Sequence, residues 1–402
     1  MKIWLLSLQD FGEIELYRRP SELKVGVFHP TLNVCGGAEW VAVKAIETLK
    51  FAGHEIIVLT DEKIDQDKVA KLLGSKVLFD TNLVFPFRFF PNTDIHNVYT
   101  DAVRILLLKS RCDVIIDTQS NAILPWVNIV YIHYPLFGRA QYLWRQKTRA
   151  RLGREPSINA KKFRLLYYFP YRSYERKKGR SNKRLILSNS NFTAAAVKKF
   201  VGGTASVLYP PIPETFFAND CNMGHREDLV VSFARISPEK YLTTIPKVAR
   251  LTNEKIRFLI IGTLDSPSVL KEILRLTKDN GVSDRVKVMT SVPLEEVRQI
   301  LRKAKVFFHP SIGEHFGITI VEAMASGCIP IVHNSGGPRD FVPDLFRFDE
   351  PEEAAVKINK AILEWSPQLS RQFTKSAQPF SEEVFSREFL RMFDSYIEGN
   401  FT

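Results

Sequence analysis

The sequence predicts an α/β protein built from two Rossmann-like domains that face each other across a cleft. The chain has 402 residues, which is too long for one ordinary domain. Short apolar strands alternate with helical segments in both halves, and a proline-rich stretch separates the halves. With 45% hydrophobic and 25% charged residues, the composition is that of a globular protein in which each half can bury its own core.

The first half begins with a strand, a loop, a helix and a second strand. KVGVF reads as a strand from Lys24, HPTLNVCGG is a loop, Ala38 to Ala52 has helical periodicity, and EIIVLT is the next strand. CDVIIDTQ and VNIVYIHYP are further buried strands. This order predicts a parallel sheet wrapped by helices.

Near Val207 the alternation breaks. LYPPIPETFF is proline-rich and extended, and it leads into a polar stretch over 219–228. A second series of strands follows: LVVSFAR, IRFLIIG, RVKVMT, AKVFFHPS and CIPIVH. We therefore predict an N-terminal domain over 1–213, a C-terminal domain over 214–380 and a final amphipathic helix within 381–402.

Positive charge is concentrated in one segment. The net charge is +12, and between Phe137 and Arg184 sixteen Lys and Arg residues stand against two acidic residues. Aromatic residues are interleaved with these cations. The excess predicts a negatively charged partner, and the alternative is a solvated basic face over a packed aromatic core.

The spacing of the cysteines and the length of the apolar runs indicate the cellular compartment of the protein. The four cysteines lie far apart without a CxxC pair, at Cys35, Cys112, Cys221 and Cys328. This spacing argues against a disulfide framework or a zinc site and fits a reducing cytosol. The apolar run from Ile3 to Leu8 is too short for a signal peptide, and no stretch approaches the roughly 18 apolar residues of a membrane span. We expect a soluble or peripheral protein.

The stretch FFHPSIGEHFGITIVEAMA carries two carboxylates at the carboxyl end of a predicted strand. Glu314 lies in a glycine-containing loop, and Glu322 lies eight positions later on the helix that follows. The amides of His315, Phe316 and Gly317 stand at the start of that helix, where unpaired N–H groups and the helix dipole attract anions. The alternative is a helix capped by Glu314, with Glu322 on a solvated face.

Three further features lie at predicted strand ends. Arg235 and Lys240 follow the first strand of the second half in FARISPEK, where open sheets bind ligands. Gly36 and Gly37 open a helix in CGGAEW, where absent side chains let a ligand approach the backbone, although the GxGxxG pattern is missing. His133 ends the strand in VYIHYP. Taken alone, two loop cations are usually solvated and a single histidine is more often structural.

These motifs resemble glycosyltransferase family 4. The family signature is Glu, any residue, Phe-Gly, then Glu-Ala, and it corresponds here to Glu314, Phe316, Gly317, Glu322 and Ala323. FARISPEK matches the Arg-x4-Lys pattern of the family. IHYP, LYPP, EHFGI and VHNSGGP are further similar to the eukaryotic dolichol-pathway α-1,2-mannosyltransferases.

The resemblance implies a GT-B fold and a retaining, metal-independent transfer of a hexose, with GDP-mannose as first choice of donor and no cofactor. The N-terminal domain would bind the acceptor, the C-terminal domain the donor, and the final helix would pack back on the N-terminal domain. It implies that Glu314 contacts the transferred sugar, that Arg235 and Lys240 neutralise the diphosphate, and that His133 positions the substrate. The implied donor-binding residues are Gly36, Gly37, His315, Phe316, Gly317, Ile318 and Glu322, the last on the ribose.

The acceptor implied by the resemblance is a polyprenyl-linked glycan at the cytosolic face of a membrane. The basic segment is then expected to dock on an anionic membrane surface. The predicted membrane residues are Arg164, Tyr168, Arg172, Arg176, Lys177, Lys178 and Arg180. As an alternative, these cations bind the pyrophosphate of the acceptor.

Other functions stay open at this point. One alternative is a transferase that uses UDP-glucose or UDP-N-acetylglucosamine on a soluble acceptor. Another is a basic nucleic-acid-binding protein, although no known nucleic-acid module is visible. The DQD sequence at 65–67 has the form of the metal-binding motif of GT-A enzymes, but it lies in a polar run without GT-A context. We interpret it as a chance match.

Overall fold

The computed structural model describes residues 22–86, 94–136, 158–180, 183–218 and 226–399, and the side chains of 94–97 and 158–168 are outside this description. Cys221, the polar stretch as far as residue 225, and the part of the basic segment over 137–157 lie outside the described residues.

The N-terminal domain is a parallel sheet covered by helices. Its strands are β1 (Lys24–Phe28), β2 (Glu55–Thr60), β3 (Thr81–Val84), β4 (Val114–Asp117), β5 (Ile129–Ile132), β6 (Leu185–Ser188) and β7 (Ser206–Val207). Its helices are α1 (Gly37–Phe51), α2 (Gln66–Leu73), α3 (Asp94–Lys109), α4 (Ile158–Gly179) and α5 (Asn191–Phe200). Within the described ranges the order is β3-β2-β1-β4-β5-β6-β7, and the paired strands are parallel.

The C-terminal domain repeats this architecture. Its strands are β8 (Glu227–Phe233), β9 (Arg257–Gly262), β10 (Val286–Thr290), β11 (Ala304–His309), β12 (Ile329–His333) and β13 (Arg347–Phe348). The helices are α6 (Ile245–Leu251), α7 (Pro267–Asp279), α8 (Leu294–Lys303), α9 (Ile318–Ala325), α10 (Pro351–Leu363) and α11 (Pro367–Ala377), followed by α12 (Glu382–Ile397). For the described residues the order is β10-β9-β8-β11-β12-β13, again parallel. The predicted α/β class with two Rossmann-like domains is confirmed.

The central strands form where the sequence has continuous apolar runs. From Val25 to Phe28 every residue of β1 is buried, and β4, β5 and β6 are buried along their whole length. Strands of a parallel sheet are covered on both faces, so they lack the polar alternation of a half-exposed sheet. In each domain the strand order reverses once, between β1 and β4 and between β8 and β11. Such a reversal opens a crevice at the carboxyl ends of the strands.

The chain passes between the two cores twice. Leu208 belongs to the core of the N-terminal domain, whereas Ile212 and Phe216 belong to the core of the C-terminal domain. On the return, Phe380 still packs in the C-terminal core, and Ser381 caps α12 by accepting a hydrogen bond from the amide of Val384. The proline-rich segment is therefore the outward crossing.

Helix α12 packs on the N-terminal domain, mainly against α1. Phe385, Phe389 and Phe393 are buried in the N-terminal core. Polar contacts accompany them: Lys44 of α1 pairs with the carboxylate of Glu382, and the hydroxyls of Thr48 and Ser386 lie 2.8 Å apart. The last helix thus completes a domain that is formed mostly by the first half of the chain.

Replacing Phe389 with Ala is expected to lower the free energy of unfolding of the N-terminal domain by about 3–5 kcal/mol, because its ring is 2% exposed inside that core. Urea unfolding monitored by circular dichroism measures the loss. As a control, Arg387→Ala removes a side chain that is 60% exposed on the same helix and is expected to change stability by less than about 0.5 kcal/mol. Equal losses from both variants would contradict the packing of α12.

Candidate active site

A cavity of about 450 Å³ lies between the carboxyl ends of the two sheets. It is lined by residues of both domains, and every residue that the sequence predicts as catalytic or donor-binding is among them. These residues are Gly36, Gly37, His133, Arg235, Lys240, Glu314, His315, Phe316, Gly317, Ile318 and Glu322. Residues from distant parts of the sequence therefore meet in one cleft.

Glu314 is held by three hydrogen bonds in the loop after β11. Its Oε2 accepts from Lys240 Nζ at 2.6 Å and from His309 Nε2 at 2.9 Å, and its Oε1 accepts from the amide of His315 at 3.1 Å. Burial by itself favours the neutral acid, but Lys240 and His309 outweigh it and hold the pKa of Glu314 well below its ordinary value. The carboxylate is therefore ionised and fixed in position.

His309 was not singled out from the sequence, although it ends the strand that precedes the glutamate loop. Burial lowers the pKa of His309, so the imidazole is neutral and donates one N–H to Glu314. The two glycines of VHNSGGP pack against the backbone of the same loop. A Cβ on Gly336 or Gly337 would lie 2.1 Å from the carbonyl oxygen of Glu314 or His315, respectively. Larger residues at these two positions would displace the loop that carries the carboxylate.

Two helix N-termini face the cleft from opposite domains. Helix α1 starts after Gly36, and α9 starts after Gly317, which has a φ of +94° that favours glycine. They approach so closely that a Cβ on Gly37 would lie 2.6 Å from Cδ1 of Ile318. At α9 the first-turn amides and the helix dipole make the N-terminus positive, whereas at α1 the carboxylate of Glu39 accepts from the amide of Gly36. The α9 side of the gap is therefore the part suited to a polyanion such as a diphosphate.

Glu322 lies on α9 with its side chain turned inward. The residue is 8% exposed, and its Oε2 has no hydrogen-bond partner among the described residues. Burial raises the pKa of Glu322 to about 8. The alternative with Glu322 on a solvated face is wrong. A buried carboxyl oxygen without a partner at the edge of a cavity is suited to accept a ligand hydroxyl.

His133 belongs to a chain of polar contacts that begins at the glycine loop. Its Nε2 lies 3.0 Å from the carbonyl oxygen of Thr118 and must donate to it, which leaves Nδ1 as an acceptor. The Thr118 hydroxyl contacts Nδ1 of His29 at 2.8 Å, and Nε2 of His29 lies 3.5 Å from Glu39. The other carboxylate oxygen of Glu39 accepts from the amide of Gly36 at 2.7 Å. The sequence analysis did not identify this chain, because its members are separated along the sequence.

The loop around His315 also closes the gap between the domains. The imidazole stacks on the ring of Tyr134 with centroids 4.2 Å apart and planes 4° from parallel. The hydroxyl of Ser190 donates to the backbone carbonyl of His315 at 2.6 Å, and the amide of Asn191 donates to Asp340 at 2.8 Å. The N-terminal domain thus fixes the loop that carries Glu314.

Arg235 and Lys240 differ in their exposure and in their ion-pair partners. Its side chain is 57% exposed and lies 3.5 Å from Glu239 and 3.8 Å from Asp265, whereas Lys240 is engaged by Glu314. The guanidinium therefore stands at the mouth of the cavity, where surface ion pairs are weak and exchange readily.

Asp65 of the DQD sequence accepts a hydrogen bond from the amide of Lys68 and caps α2, and Asp67 lies in the first turn of that helix. This placement gives both carboxylates a structural explanation.

The predicted membrane residues are only partly described. The side chains of Arg164 and Tyr168 lie outside the described residues. Arg176, Lys177, Lys178 and Arg180 are exposed at the end of α4, but Arg172 is half-buried and donates to the carbonyl of Phe200 at 3.4 Å. In the part of the chain that the structure describes, no helix is both long and apolar enough to cross a bilayer.

The two facing domains have the GT-B architecture, and the similar solved structures are glycosyltransferases of that fold. A glycosyltransferase from Rickettsia africae superposes with a TM-score of 0.66 at 14% identity, covering 94% of this chain and 99% of its own. Anabaena Alr3699/HepE in complex with UDP and glucose superposes with a TM-score of 0.65 at 15% identity, covering 93% of this chain and 100% of its own. At these identities the likeness shows the fold, and the predicted GT-B architecture is confirmed.

The sequence of the C-terminal domain matches a known family model. Residues 216–379 match the model of glycosyl transferases group 1. Similar curated proteins are GDP-Man:Man(3)GlcNAc(2)-PP-Dol alpha-1,2-mannosyltransferases. The Homo sapiens protein is 26% identical, with 95% of this chain and 88% of that protein covered. The Dictyostelium discoideum protein is 24% identical, with 92% and 84% covered. The predicted resemblance to this group of mannosyltransferases is confirmed.

His133 is expected to remain neutral between about pH 5 and 9. Burial lowers the pKa of His133 to about 4, and the hydrogen bond to Thr118 opposes the shift only in part. The neutral form therefore persists until the pH falls below the lowered pKa. Nitrogen-15 NMR of the imidazole, assigned with a His133→Gln variant, measures its titration. A midpoint near 6.5 would contradict a half-buried ring that is protonated at Nε2.

Proposed function

We propose that this chain transfers a hexose from a nucleotide sugar, with mannose from GDP-mannose as first choice, to a lipid-linked oligosaccharide at the cytosolic face of a membrane. The transfer retains the anomeric configuration and needs no metal ion. The observation that carries the proposal is the fixed, ionised Glu314 beside Lys240, between two facing helix N-termini. The names of the mannosyltransferase relatives supply the choice of sugar, nucleotide and acceptor.

The diphosphate of the donor would lie between the starts of α1 and α9. The amides at the start of α9 supply positive potential there, and Lys240 and Arg235 supply formal charge. An ammonium group has three N–H donors, so Lys240 can keep its bond to Glu314 while it donates to a phosphate oxygen. These groups stabilise the negative charge that develops on the leaving nucleoside diphosphate, which is the task of a metal ion in other transferases.

Glu314 would bind the transferred sugar, and Glu322 would bind the ribose. The ionised Glu314 is an acceptor for sugar hydroxyls, held rigidly by His309 and Lys240. The free Oε2 of Glu322 would accept a ribose hydroxyl, which replaces its missing partner. His133, neutral and with Nδ1 as an acceptor, would position the sugar or the acceptor hydroxyl rather than act as a general base. Retention of configuration rests on the resemblance to family 4.

The acceptor would approach the N-terminal side of the cleft. A lipid-linked acceptor requires the enzyme to dock on a membrane, and the exposed cations Arg176, Lys177, Lys178 and Arg180 support an anionic surface as the partner. Arg172 is removed from this set because it bonds within the domain.

Guanosine diphosphate is expected to raise the melting temperature in buffer containing EDTA, and UDP and ADP are expected to raise it less. A nucleotide that binds only the native state stabilises it by mass action, by about 2.7 kcal/mol at a concentration of one hundred times Kd. Differential scanning fluorimetry with each nucleotide and its sugars measures the shift. Turnover with GDP-mannose is expected to survive EDTA.

Three other outcomes would each favour a different function. A larger shift with UDP would replace the donor and favour a UDP-sugar transferase. Loss of turnover in EDTA, restored by magnesium or manganese, would overturn metal independence. Binding of RNA without any nucleotide-sugar turnover would favour the nucleic-acid-binding alternative.

The two glutamates are expected to respond differently to substitution. Glu314→Gln should lower turnover by about 100- to 1,000-fold with nucleotide affinity largely retained, because the charge acts on the sugar. Glu322→Ala should weaken GDP binding by about 10- to 100-fold, because a hydrogen bond to a carboxylate is lost. Calorimetry and initial rates measure both. Exposed Glu254→Gln is the matched control, and full turnover of Glu314→Gln would refute its assigned role.

A further inference from the structure

The amino ends of the strands in the N-terminal sheet form a face opposite the cleft, which we call the amino edge. The sheet is parallel, so all its strands begin at this edge and end at the cleft. Lys109 ends α3 shortly before β4, Trp126 lies shortly before β5, and Lys183 and Arg184 directly precede β6. Helix α4 reaches the same edge with Lys178.

A cavity of about 360 Å³ opens at this edge, outside the site already described. It is lined by Pro125, Trp126, Tyr174, Lys178, Lys183 and Arg184. Three of these described lining residues are cationic and none is acidic. The cavity therefore has the charge and the aromatic walls to hold an anionic group.

Arg184 supplies a fixed charge to this cavity. Its Nε donates to the carbonyl of Val127 at 2.7 Å, and one terminal nitrogen donates to the carbonyl of Leu124 at 3.0 Å. Both partners are neutral, and the other terminal nitrogen has no hydrogen-bond partner among the described residues. Among the described residues, the guanidinium is held in place without an ion pair to a carboxylate.

Trp126 stands at the rim of the cavity in an unusual backbone conformation. Its φ is +63°, which is uncommon for a residue other than glycine, and the residue is 40% exposed. Lys109 Nζ lies 5.2 Å from the centre of the indole ring. The loop thus presents a large aromatic ring to solvent next to a cation, a combination that suits the interface of a membrane.

The two helices that reach the amino edge carry the same combination on their exposed sides. Val103 and Leu106 of α3 are each 44% exposed and precede Lys109 at spacings of three residues. Phe169 of α4 is 68% exposed and precedes the exposed cations at the end of that helix. Apolar residues that lead into basic ones form the pattern of a surface that lies on lipid headgroups.

We propose that the amino edge is the membrane-docking face and that its cavity binds the phosphate of an anionic lipid headgroup. Trp126 inserts at the headgroup level, while Lys178, Lys183 and Arg184 surround the phosphate. The inference rests on the proposed lipid-linked acceptor, and it locates the docking face at residues that the basic segment alone does not define, namely Lys109 and Trp126.

Vesicle co-sedimentation tests the proposal with phosphatidylcholine vesicles that contain or lack phosphatidylserine. Each Lys near an anionic surface strengthens binding by about fivefold, so Lys178→Gln with Lys183→Gln is expected to weaken binding by about 30-fold. Trp126→Gly, which suits the positive φ, is expected to weaken it and to remove the blue shift of tryptophan fluorescence on binding. Lys271→Gln with Lys278→Gln removes two exposed lysines of the C-terminal domain and is expected to leave binding unchanged.

The outcomes separate this inference from the proposed transfer. The GDP-induced melting shift of each variant should equal that of the wild type, which establishes that the variants are folded and that the cleft is intact. If the amino-edge variants bind vesicles as tightly as the wild type does, the protein binds membranes through another face and the proposal for the amino edge is wrong. If the wild type ignores anionic vesicles at low salt, or binds a single-stranded RNA in preference to them, the docking proposal is overturned while a GDP shift would still support the transferase.

Discussion

The two domains are joined by a pair of chain crossings that are hydrogen-bonded to each other. The amide of Ile212 on the outward crossing donates to the carbonyl of Phe380 on the return at 2.9 Å, and Ile212 and Ser381 form a parallel bridge. Nearby, the indole of Trp40 donates to the carbonyl of Pro211 at 3.0 Å. Because the crossings lie side by side and α12 is anchored in the N-terminal core, the carboxyl ends of the two sheets are held facing each other. The contact between Gly37 and Ile318, and with it the shape of the cleft, depends on this constraint.

Within that cleft, two glutamates eight residues apart have opposite protonation. Lys240 and His309 lower the pKa of Glu314, whereas Glu322, without a cation in hydrogen-bonding contact among the described residues, has its pKa raised to about 8 by burial. The environment, rather than the residue type, assigns one carboxyl group a permanent charge and leaves the other neutral near neutral pH. If a ribose hydroxyl donates to Glu322 as proposed, it favours the ionised form, and nucleotide binding would be linked to release of a proton.

The sequence is sufficient to predict the two sheets and the set of cleft residues, because each buried strand is an apolar run and each motif follows the end of one. In a parallel sheet all such ends lie at one edge, so sequence position places Gly36 and His133 at one edge of the first sheet and Lys240 and Glu314 at one edge of the second. That the two edges face each other was implied by the resemblance to the GT-B fold. The individual side-chain contacts could not be predicted from the sequence. The bond between Lys240 and Glu314 spans 74 residues, and its length depends on how the loops after β8 and β11 fold.

The amino edge was harder to predict, because the recognisable motifs all follow the ends of strands and this edge holds the starts. Residues before a strand carry no motif, and Trp126, Lys183 and Arg184 look like ordinary loop residues in the sequence. Arg172, a cation within the same basic run, is half-buried and donates to the backbone carbonyl of Phe200. Helical position decides which cations of α4 face outward, and that position depends on packing against the sheet.

The opposition of the amino edge and the cleft has a geometric consequence for the acceptor. A strand of six residues such as β2 rises by about 20 Å, so a chain docked by its amino edge carries the cleft about that far above the headgroups. A polyprenyl tail stays in the bilayer, and only its glycan can bridge this height. If the proposed acceptor and docking face are right, acceptors are selected by reach: a lipid with one or two sugars ends below the cleft, and an oligosaccharide of several sugars presents its terminal residue at Glu314. The thickness of a sheet would thereby set the stage of glycan assembly at which this protein acts.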